Sequence, residues 1–474
     1  MAISVSFPSF VNFGLTGFFS VDIEAGVIMA NTFKGGVHPD DAKSLSSSSA
    51  IVDQPVPSTV VIPVRQHIGA PAKVVVEKGQ AVKKGQVVAE AGGFVSVPMH
   101  ASISGVVKGI EPLLSPAGMK VMSVVIEGDG SDQWDEGLNS GRDISAMTPD
   151  EMRDAVRAAG LVGLGGAAFP THVKLSPPKD KPIDVLILNG VECEPFSTCD
   201  HRLMLEHPGD IIEGLKILMT ILGCSTAYIG IERNKPDAVK VMRDAVKELK
   251  NVRVTDLRVK YPQGGEKQLI YAITRRKVPA GGLPMDVGCV VQNVGTAAAV
   301  YHAVALRKPL IERVVTVTGS GVKKPVNVRV RIGNRIDALI EQAGGYTDSA
   351  AKLIMGGPMM GVSLFTDEVS VVKGTSCILV MDEREISAGE EKQCISCAMC
   401  VDVCPMYLVP TTLASLVEHQ RWDEVKAYHA LDCIECGCCT YICPTKRRLV
   451  ENIKFGKAKL TELRAKEQAE KSAK

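Results

Sequence analysis

Two runs of cysteine near the C-terminus have the most evident chemistry in this sequence. The first run is Cys394-x2-Cys397-x2-Cys400-x3-Cys404 before Pro405, and the second is Cys433-x2-Cys436-x2-Cys439-x3-Cys443 before Pro444. Three thiolates with two residues between them can wrap one face of a cubane [4Fe–4S] cluster. A disulfide scaffold would be a short chain with its cysteines spread through the fold. The runs therefore predict metal chemistry in a reducing compartment.

The cysteine before each proline has a separate role. It lies too far along the chain to reach the cluster of its own run, and in bacterial ferredoxins the corresponding cysteine ligates the other cluster. This predicts Cys394, Cys397, Cys400 and Cys443 for cluster 1, and Cys404, Cys433, Cys436 and Cys439 for cluster 2. Zinc is the alternative, because paired Cys-x2-Cys also suits a tetrahedral ion, but it leaves two cysteines of each run unexplained. Cys438 breaks the spacing and is interpreted as a packing residue.

The segment between the runs indicates how the clusters are held. Leu413, Leu416 and Val417 lie at helical spacing, and so do Trp422 and Val425 beyond a predicted turn. The clusters are therefore predicted to lie in a mainly helical domain. Such a domain favours an electron relay inside a larger enzyme over a free carrier.

A glycine-rich segment, residues 160–174, is the second candidate site. Its glycines Gly163, Gly165 and Gly166 leave backbone N–H groups open to a phosphate or flavin, and Lys174 could add a positive charge. It is not the usual dinucleotide fingerprint, because no strand precedes it and no helix clearly follows.

Three further segments have polar residues at positions where α/β proteins bind ligands. Asn189, Glu192 and Glu194 follow a buried strand run, and residues 261–267 form a second glycine-rich turn before a helix. Asn293 and Thr296 stand at a strand-to-helix junction, where a helix N-terminus can bind an anion. The alternative interpretation is four ordinary loops.

The elements around these segments alternate in type. Strand runs at residues 185–188, 227–231 and 252–259 alternate with helical patterns at 150–159, 210–222 and 237–249. This alternation predicts a parallel α/β sheet.

Two smaller β modules flank this sheet in sequence. Residues 60–125 contain short β-branched runs separated by Gly and Pro, which predict a small barrel or sandwich. The module resembles biotinyl and lipoyl carriers, but its expected hairpin tip, residues 91–94, has no lysine for a cofactor. Residues 314–366 resemble a β-grasp domain that binds soluble ligands.

Composition excludes several classes of function. The net charge is +1, so there is no electrostatic reason to bind nucleic acid. With 45% hydrophobic and 23% charged residues, the chain is not disordered as a whole. No apolar stretch of about 18 residues predicts a membrane span. Residues 1–28 have no basic region typical of a signal peptide; they are unexplained, and Met29 is an alternative start.

The nucleotide segments together resemble a known flavoprotein. The loop Gly163–Lys174, the Glu192 and Glu194 pair, the turn at Gly264, Gly265 and Glu266, and the Asn293–Thr296 segment look like the NADH-binding flavoprotein subunit of respiratory complex I. Together with the carrier-like module, the β-grasp unit and the cluster domain, the order is similar to that of the C subunits of Rnf complexes. These complexes are ion-translocating ferredoxin:NAD oxidoreductases. The related quinone-reductase subunit lacks the cluster domain.

The resemblance implies a fold class, cofactors and site residues. The fold is multidomain α/β: a barrel-sandwich module, a Rossmann-like flavin/NADH domain, a β-grasp (SLBB-like) module and a mainly helical two-cluster ferredoxin domain. It implies non-covalent FMN, two [4Fe–4S] clusters, and NAD(H) as substrate. The residues implied for the FMN and NAD(H) site are Gly163, Gly165, Gly166, Phe169, Lys174, Asn189, Glu192, Glu194, Gly264, Gly265, Glu266, Asn293 and Thr296. Of these, Phe169, Glu192 and Glu194 are expected to shape the NAD pocket.

Domain limits and partners are predicted on the same basis. The segments are an unexplained extension at 1–31, the carrier-like domain at 32–130, the FMN/NADH domain at 140–305, the β-grasp domain at 310–370, the cluster domain at 386–450 and a charged helical tail at 451–474. The expected partners are Rnf-type membrane and ferredoxin-like subunits, with ferredoxin acting indirectly. The expected location is the cytoplasmic face of a bacterial inner membrane, held by those partners.

Two alternatives remain. The complex I loop has Arg, Gly and Gly where this chain has Leu164, Ala168 and His172. These differences leave open a non-catalytic iron–sulfur scaffold with a degenerate nucleotide site. The second alternative is a quinone-reductase subunit that only docks, for which unpaired cysteines would be expected in place of complete runs.

Overall fold

The computed structural model describes residues 31–386 and 389–472. The predictions for residues 1–28 and for Met29 as the start lie outside the described residues. None of the described helices has an apolar run long enough to cross a bilayer.

The first module is the expected pair of small β-sheets. Its strands are β1 (Ile51–Asp53), β2 (Thr59–Pro63), β3 (Lys73–Val74), β4 (Ala81–Val82), β5 (Val87–Glu90), β6 (Met99–His100), β7 (Gly105–Leu114) and β8 (Lys120–Gly128). One sheet has the order β2-β8-β7-β4 and the other β3-β5-β6. Val60, Val88 and Ile126 are fully buried, which explains the β-branched runs as the core of a sandwich.

The second module is built on a parallel sheet. Its elements are α1 (Pro149–Ala158), α2 (Thr171–Lys174), β9 (Val185–Asn189), α3 (Cys199–Glu206), α4 (Pro208–Leu222), β10 (Thr226–Glu232), α5 (Pro236–Ala245), β11 (Val252–Leu257), α6 (Glu266–Thr274), β12 (Cys289–Asn293) and α7 (Val294–Leu306). The strand order is β11-β10-β9-β12, and all pairs are parallel. The predicted parallel α/β sheet is confirmed.

Two details of this module differ from the sequence prediction. The glycine-rich segment is followed by the short helix α2, which is too short to give a periodic signal. Helix α5 ends at Ala245 and not at residue 249, because Val246 leaves helical geometry and Leu249 N–H donates to Val246 O in a tight turn before β11.

The third module is a mixed β-sheet. It contains β13 (Glu312–Thr318), β14 (Val326–Arg331), α8 (Ile336–Gln342), β15 (Ala350–Met355), β16 (Val362–Leu364) and β17 (Cys377–Asp382). The sheet order is β1-β14-β13-β17-β15-β16, so β1 from the first module forms one edge. Val315, Val328 and Leu339 are fully buried and form its core.

The C-terminal module is mainly helical, as predicted. Its helices are α9 (Met399–Asp402), α10 (Pro410–Glu418), α11 (Trp422–Ala427), α12 (Cys438–Ile442) and α13 (Leu449–Ser472). The start of α13 is part of the core, because Ile453 and Leu460 are buried against the cluster that contains Leu413 and Val417. The charged tail is therefore helical, as predicted. One face of its first turns packs against the rest of the module.

Candidate nucleotide and iron–sulfur sites

Four cysteines drawn from both runs line one small cavity in the C-terminal module. The cavity is lined by Cys404, Cys433, Cys436 and Cys439, and Cys438 beside them also contributes to its wall. Burial raises the pKa of the Cys439 thiol, and the neighbouring thiolates Cys433, Cys436 and Cys404 raise it further. The structure thus brings together the four cysteines assigned to cluster 2, including Cys404 from the first run.

The other four cysteines form a second group. Burial raises the pKa of Cys400, and the charges of Cys443, Cys394 and Cys397 add to this effect. Helix α9, which contains Cys400, packs on α12, which contains Cys439. Cys404 follows α9 and Cys443 follows α12. Because the two helices pack together, each of these cysteines lies near the cysteines of the other run.

The two groups differ in their exposure to solvent. Cys394 and Cys397 are exposed, whereas Cys404, Cys436 and Cys439 are buried. Thr411 Oγ1 and the Ser396 N–H both lie 3.4 Å from Cys394 Sγ, and these contacts lower the pKa of the Cys394 thiol. Cys400 of the first group is nevertheless buried, and Cys433 of the second is only partly buried. The first group therefore has an exposed side, whereas the second is mostly enclosed.

No group of three or more His, Cys, Asp or Glu side chains in residues 31–386 and 389–472 converges closely enough to hold a single metal ion. A cubane cluster is larger than one ion, so its four ligands need not converge in that way. Cys438 is fully buried and packs with Val37, Tyr261 and Cys436, which is consistent with a packing role, although it also lines the cavity of the cluster 2 cysteines; its interpretation as a packing residue stays a prediction.

The glycine-rich loop lies against the N-terminus of α7. Gly163 N–H donates to Phe169 O at 2.8 Å, which closes the loop on itself. Leu164 N–H donates to Thr296 Oγ1 at 2.9 Å, and a methyl group added at Gly165 would lie 3.4 Å from Asn293 Cβ. Gly165 and Gly166 are exposed, so their backbone is open to a ligand at this edge.

The carboxyl ends of two neighbouring strands complete the cradle. Asn189 ends β9 and Asn293 ends β12, and the two residues are in register. Asn189 Nδ2 donates to Gly264 O at 2.9 Å, so the second glycine turn also lies here. The residues predicted from separate segments therefore meet at one edge of the sheet.

One lysine enters this cradle from helix α2. Lys174 Nζ donates to Glu266 Oε1 at 2.6 Å and to Val291 O at 3.2 Å. The side chains of Lys174 and Glu266 are each about one-third exposed. A bound anion can therefore compete with Glu266 for the ammonium group of Lys174. Open glycine backbone and an accessible ammonium group fit the phosphate of a flavin nucleotide, whereas the side-chain amides of Asn189 and Asn293 are engaged in hydrogen bonds that hold this edge together.

Asp200 is a site residue that the sequence interpretation did not identify. Asn293 Nδ2 donates to Asp200 Oδ2 at 2.6 Å, while Asn293 Oδ1 accepts from the N–H groups of Gly295 and Thr296. Burial, and then the charge of Glu192, raises the pKa of Asp200 to about 7. Its only sequence signal is a carboxylate in the first turn of α3, which is common at helix starts.

The carboxylates of Glu192 and Glu194 bind backbone groups outside the glycine loop. Glu192 accepts from the N–H groups of Asp200 and His201 at 2.8 and 3.1 Å. Burial disfavours its charge, but Lys43 and Lys235 nevertheless hold the pKa of Glu192 below its usual value.

Glu194 is held by the β-grasp module. Its Oε1 accepts from the N–H groups of Met359 and Met360 at 2.6 and 3.0 Å, and burial raises the pKa of Glu194. The assignment of both glutamates to the NAD pocket stays a prediction.

The two flanking modules hold the glycine loop from outside the sheet. Arg313 Nη2 of the β-grasp module donates to Leu164 O at 3.2 Å, and Lys373 Nζ donates to Gly160 O at 2.6 Å. His172 Nε2 donates to Phe94 O in the barrel-sandwich module at 2.9 Å. Leu164 and His172, which differ from the complex I loop, therefore contact modules on either side of the cradle.

The nucleotide cradle and the buried cysteine group are adjacent. Gln268 lies two residues after Glu266 in α6, and its Nε2 is 3.4 Å from Pro405 O and 3.3 Å from Met406 Sδ. On the other side, Gly36 N–H donates to Val403 O at 2.8 Å and Val37 N–H to Tyr261 O at 2.8 Å. These contacts place the cysteines of cluster 2, and not the exposed group, against the nucleotide domain.

Four family models match this chain in order along its length. They are the RnfC barrel sandwich hybrid domain at residues 31–131, the Nuo51 FMN-binding domain at 156–302, the SLBB domain at 314–363 and a 4Fe-4S dicluster domain at 393–447. The matches confirm the predicted fold class, module by module.

Curated relatives match over nearly the whole chain. The chain is 48% identical to the C subunit of the proton-translocating ferredoxin:NAD(+) oxidoreductase complex of Clostridium ljungdahlii, covering 91% of this chain and 94% of the relative. It is 45% identical to the Na(+)-translocating counterpart of Acetobacterium woodii, covering 92% and 98%. It is 40% identical to the C subunit of an ion-translocating oxidoreductase complex of Rhodobacter capsulatus, covering 91% and 83%.

A solved structure matches part of the chain. The NAD+-reducing [NiFe]-hydrogenase in the air-oxidized state aligns with a TM-score of 0.45 and 19% identity, covering 60% of this chain and 55% of that one.

Proposed function

The chain belongs to the RnfC family of ion-translocating ferredoxin:NAD(+) oxidoreductase subunits, and on that premise we propose how its residues perform electron transfer. It is an oxidoreductase subunit with an FMN-binding domain and a 4Fe-4S dicluster domain. When bound, FMN exchanges a hydride with NAD(H) and single electrons with iron–sulfur clusters. The residues of this chain bind, space and shield these groups.

FMN is proposed to bind at the cradle at the carboxyl edge of the sheet. The open backbone of Gly165 and Gly166 contacts the nucleotide from one side, and Gly163, whose N–H is bonded to Phe169 O, shapes the loop beside them. The other contacts come from Lys174, Asn189, Gly264, Gly265, Glu266, Asn293 and Thr296. NAD(H) is proposed to approach beside Phe169, Glu192 and Glu194. The Lys174–Glu266 pair, at 2.6 Å, supplies one donor and one acceptor at the site.

The clusters are proposed to bind at the two cysteine groups. Cys394, Cys397, Cys400 and Cys443 hold cluster 1, on the side where Cys394 and Cys397 are exposed, and Cys404, Cys433, Cys436 and Cys439 hold cluster 2, where three of the four thiols are buried. The observation that carries the function is the contact of Gln268 with Pro405. This contact supports a position of the buried cysteine group beside the nucleotide domain, which electron transfer between the two sites requires.

The alternatives fit less well. Zinc and the docking-only subunit do not explain a match to a 4Fe-4S dicluster domain over residues 393–447. A scaffold with a degenerate nucleotide site was suggested by Leu164, Ala168 and His172. Of these, Leu164 and His172 bond the neighbouring modules, and the cradle contacts of Lys174, Asn189 and Asn293 are intact.

The curated relatives are subunits of a larger complex. We propose that membrane-embedded and ferredoxin-like subunits hold this chain at the cytoplasmic face of a bacterial inner membrane, and that ferredoxin exchanges electrons with it through them. The exposure of Cys394 and Cys397 supports electron exchange with such a neighbour at cluster 1.

A dye-reduction assay tests the catalytic part of the proposal. The full chain, loaded anaerobically with iron, sulfide and FMN, is expected to reduce an artificial electron acceptor with NADH and to show bleaching of its flavin absorbance. A scaffold protein would contain clusters but show neither turnover nor bleaching. Equal rates with and without FMN would also contradict the proposal.

A further inference from the structure

A turn of the β-grasp module, residues 372–375, lies against the glycine loop of the nucleotide domain. A methyl group added at Gly374 would lie 3.4 Å from Gly166 O and 3.4 Å from Ala168 Cβ. Gly166 is part of the exposed backbone at which FMN is proposed to bind. The turn therefore contacts the loop directly beside the proposed FMN contacts.

Lys373, the second residue of this turn, places a buried amine between three modules. Lys373 is only 1% exposed. Its Nζ donates to Gly160 O, at the start of the glycine loop, at 2.6 Å and to Pro98 O of the barrel-sandwich module at 2.9 Å. Burying a lysine costs free energy unless its hydrogen bonds compensate the loss of water. Here the compensating bonds tie the start of the glycine loop to both flanking modules.

The main chain of Lys373 holds the same loop at a second point. Its carbonyl oxygen accepts from Arg313 Nη1, and Arg313 Nη2 donates to Leu164 O at 3.2 Å. Its N–H donates to Gln66 Oε1 of the barrel-sandwich module at 2.9 Å. Lys373 thus holds the loop directly at Gly160 and, through Arg313, at Leu164.

The glycine loop is closed between these two points of support and its exposed tip. Thr171 N–H donates to Leu161 O at 3.0 Å, and Gly163 N–H donates to Phe169 O at 2.8 Å. Glycine loses more conformational freedom on ordering than any other residue. A loop that is ordered before the ligand arrives does not lose that freedom on binding, so its external supports contribute to the affinity for the ligand.

We propose that Lys373 is a positioning residue for the FMN site, which holds the glycine loop from the β-grasp module in the shape that binds the flavin nucleotide. This inference rests on the proposed function. It assigns the β-grasp module a role in cofactor binding, although that module contributes none of the residues proposed to contact FMN.

Titration of FMN into the full chain, loaded anaerobically with iron and sulfide, tests the proposal. Lys373→Met retains the length of the side chain but removes its hydrogen-bond donors. The Kd of FMN is expected to rise about five- to tenfold, because the loop must then be ordered on binding. Lys373→Arg retains donors for both carbonyls, and its Kd is expected to lie between those of the wild type and Lys373→Met.

Hydrogen exchange of the FMN-free full chain measures the order of the loop itself. In Lys373→Met, the amides of residues 161–171 are expected to exchange faster than in the wild type, since amide exchange reports local opening. Saturating FMN is expected to reduce this difference, because the bound nucleotide holds the loop in place of the lysine.

Lys84→Met is the matched control. Lys84 is also a buried lysine, but its ammonium group pairs with Asp132 and lies 4.7 Å from the centroid of the Trp134 ring. Its loss is expected to lower the thermal unfolding midpoint while leaving the Kd of FMN and the exchange of residues 161–171 unchanged. A role of Lys373 in stability alone would give the same pattern in Lys373→Met.

A second variant decides the question if Lys373→Met does not fold. Thr375 Oγ1 accepts from Val372 N–H at 3.0 Å and so closes the turn that carries the lysine. Thr375→Val removes this acceptor at nearly constant volume, and it is expected to raise the Kd of FMN and the exchange of residues 161–171, whereas Thr375→Ser is expected to retain wild-type values.

Two results would overturn this inference alone: an unchanged Kd for FMN in the Lys373→Met or Thr375→Val variant that folds, or an equal rise in Lys84→Met. A wild-type chain that binds no FMN would overturn both this inference and the proposed function.

Discussion

The cysteine before each proline lies with the cysteines of the other run. Cys404 belongs to the first run in sequence, yet it lines a cavity with Cys433, Cys436 and Cys439. The spacing predicts this exchange because the chain cannot turn back to its own cluster after helix α9. The spacing therefore predicted which cysteines lie together in space, and their role as ligands stays a prediction. Their difference in burial was not readable from the sequence, since it depends on packing against the nucleotide domain.

Two neighbouring cysteines provide a paired test of the ligand assignment. Cys436→Ser removes a proposed ligand of cluster 2, so iron is expected to fall from about eight to about four per chain. Cys438→Ser is expected to retain about eight, because Cys438 lies outside the Cys-x2-Cys spacing of the second run, although it lines the same cavity. Iron analysis after anaerobic reconstitution distinguishes the two. Equal iron loss in both variants would refute the assignment.

Asp200 should make the stability of the native chain depend on pH. Its native pKa is raised from 3.8 to about 7, so the native state keeps a proton that the unfolded state releases. The free energy of unfolding then falls as pH rises from about 4 to about 7, by an amount on the order of 1–4 kcal/mol. Asp200→Asn removes this contribution.

Thermal unfolding midpoints measured across that pH range check the prediction. The fall in midpoint is expected to be smaller in Asp200→Asn than in the wild type. Asp237→Asn is the control: burial disfavours the charge of Asp237, but the hydrogen bond with His201 nevertheless holds its pKa below 3.8. Because a pKa below 3.8 keeps Asp237 ionised in both the native and the unfolded state above about pH 4, its removal is expected to leave the slope between about pH 4 and pH 7 unchanged. A parallel pH profile for Asp200→Asn and the wild type would contradict the account.

At the scale of elements, local pattern predicted most of the architecture. Alternating strand and helix periods predicted the parallel sheet, and β-branched runs predicted the sandwich. The sequence did not predict helix α2, because four residues are too few to show the 3.6-residue periodicity of a helix. Contacts such as Arg313 with Leu164 and Asn293 with Asp200 join positions far apart in sequence, and no local signal marks them.

Helix α4 contains a glycine that its packing requires. A methyl group at Gly214 would lie 1.8 Å from Ala297 O in α7, so Gly214→Ala must push the two helices apart. The expected loss is about 1–3 kcal/mol or more. A methyl group at Gly209 in the same helix would have no atom within 4 Å. Gly209→Ala should therefore leave the free energy of unfolding unchanged or raise it slightly. Denaturant unfolding of both variants gives the comparison, and equal stabilities would show that α4 and α7 are not this close.

At the scale of the whole molecule, three modules surround one glycine loop. The sheet supplies Asn293 and Thr296, the β-grasp module bonds Leu164 O, and the barrel-sandwich module accepts a hydrogen bond from His172. The cluster domain then contacts the sheet through Pro405 and Gln268. The order of modules along the chain was predictable from sequence, but their convergence depends on these long-range contacts.

The most direct measurement of the central claim is low-temperature EPR of the anaerobically reconstituted full chain, combined with iron and flavin analysis. The account predicts about eight iron atoms and one FMN per chain. It also predicts that dithionite produces the signal of two interacting [4Fe–4S] clusters and that NADH bleaches the flavin. A chain that contains zinc without iron, or that gives no paramagnetic iron signal after dithionite treatment, would contradict it.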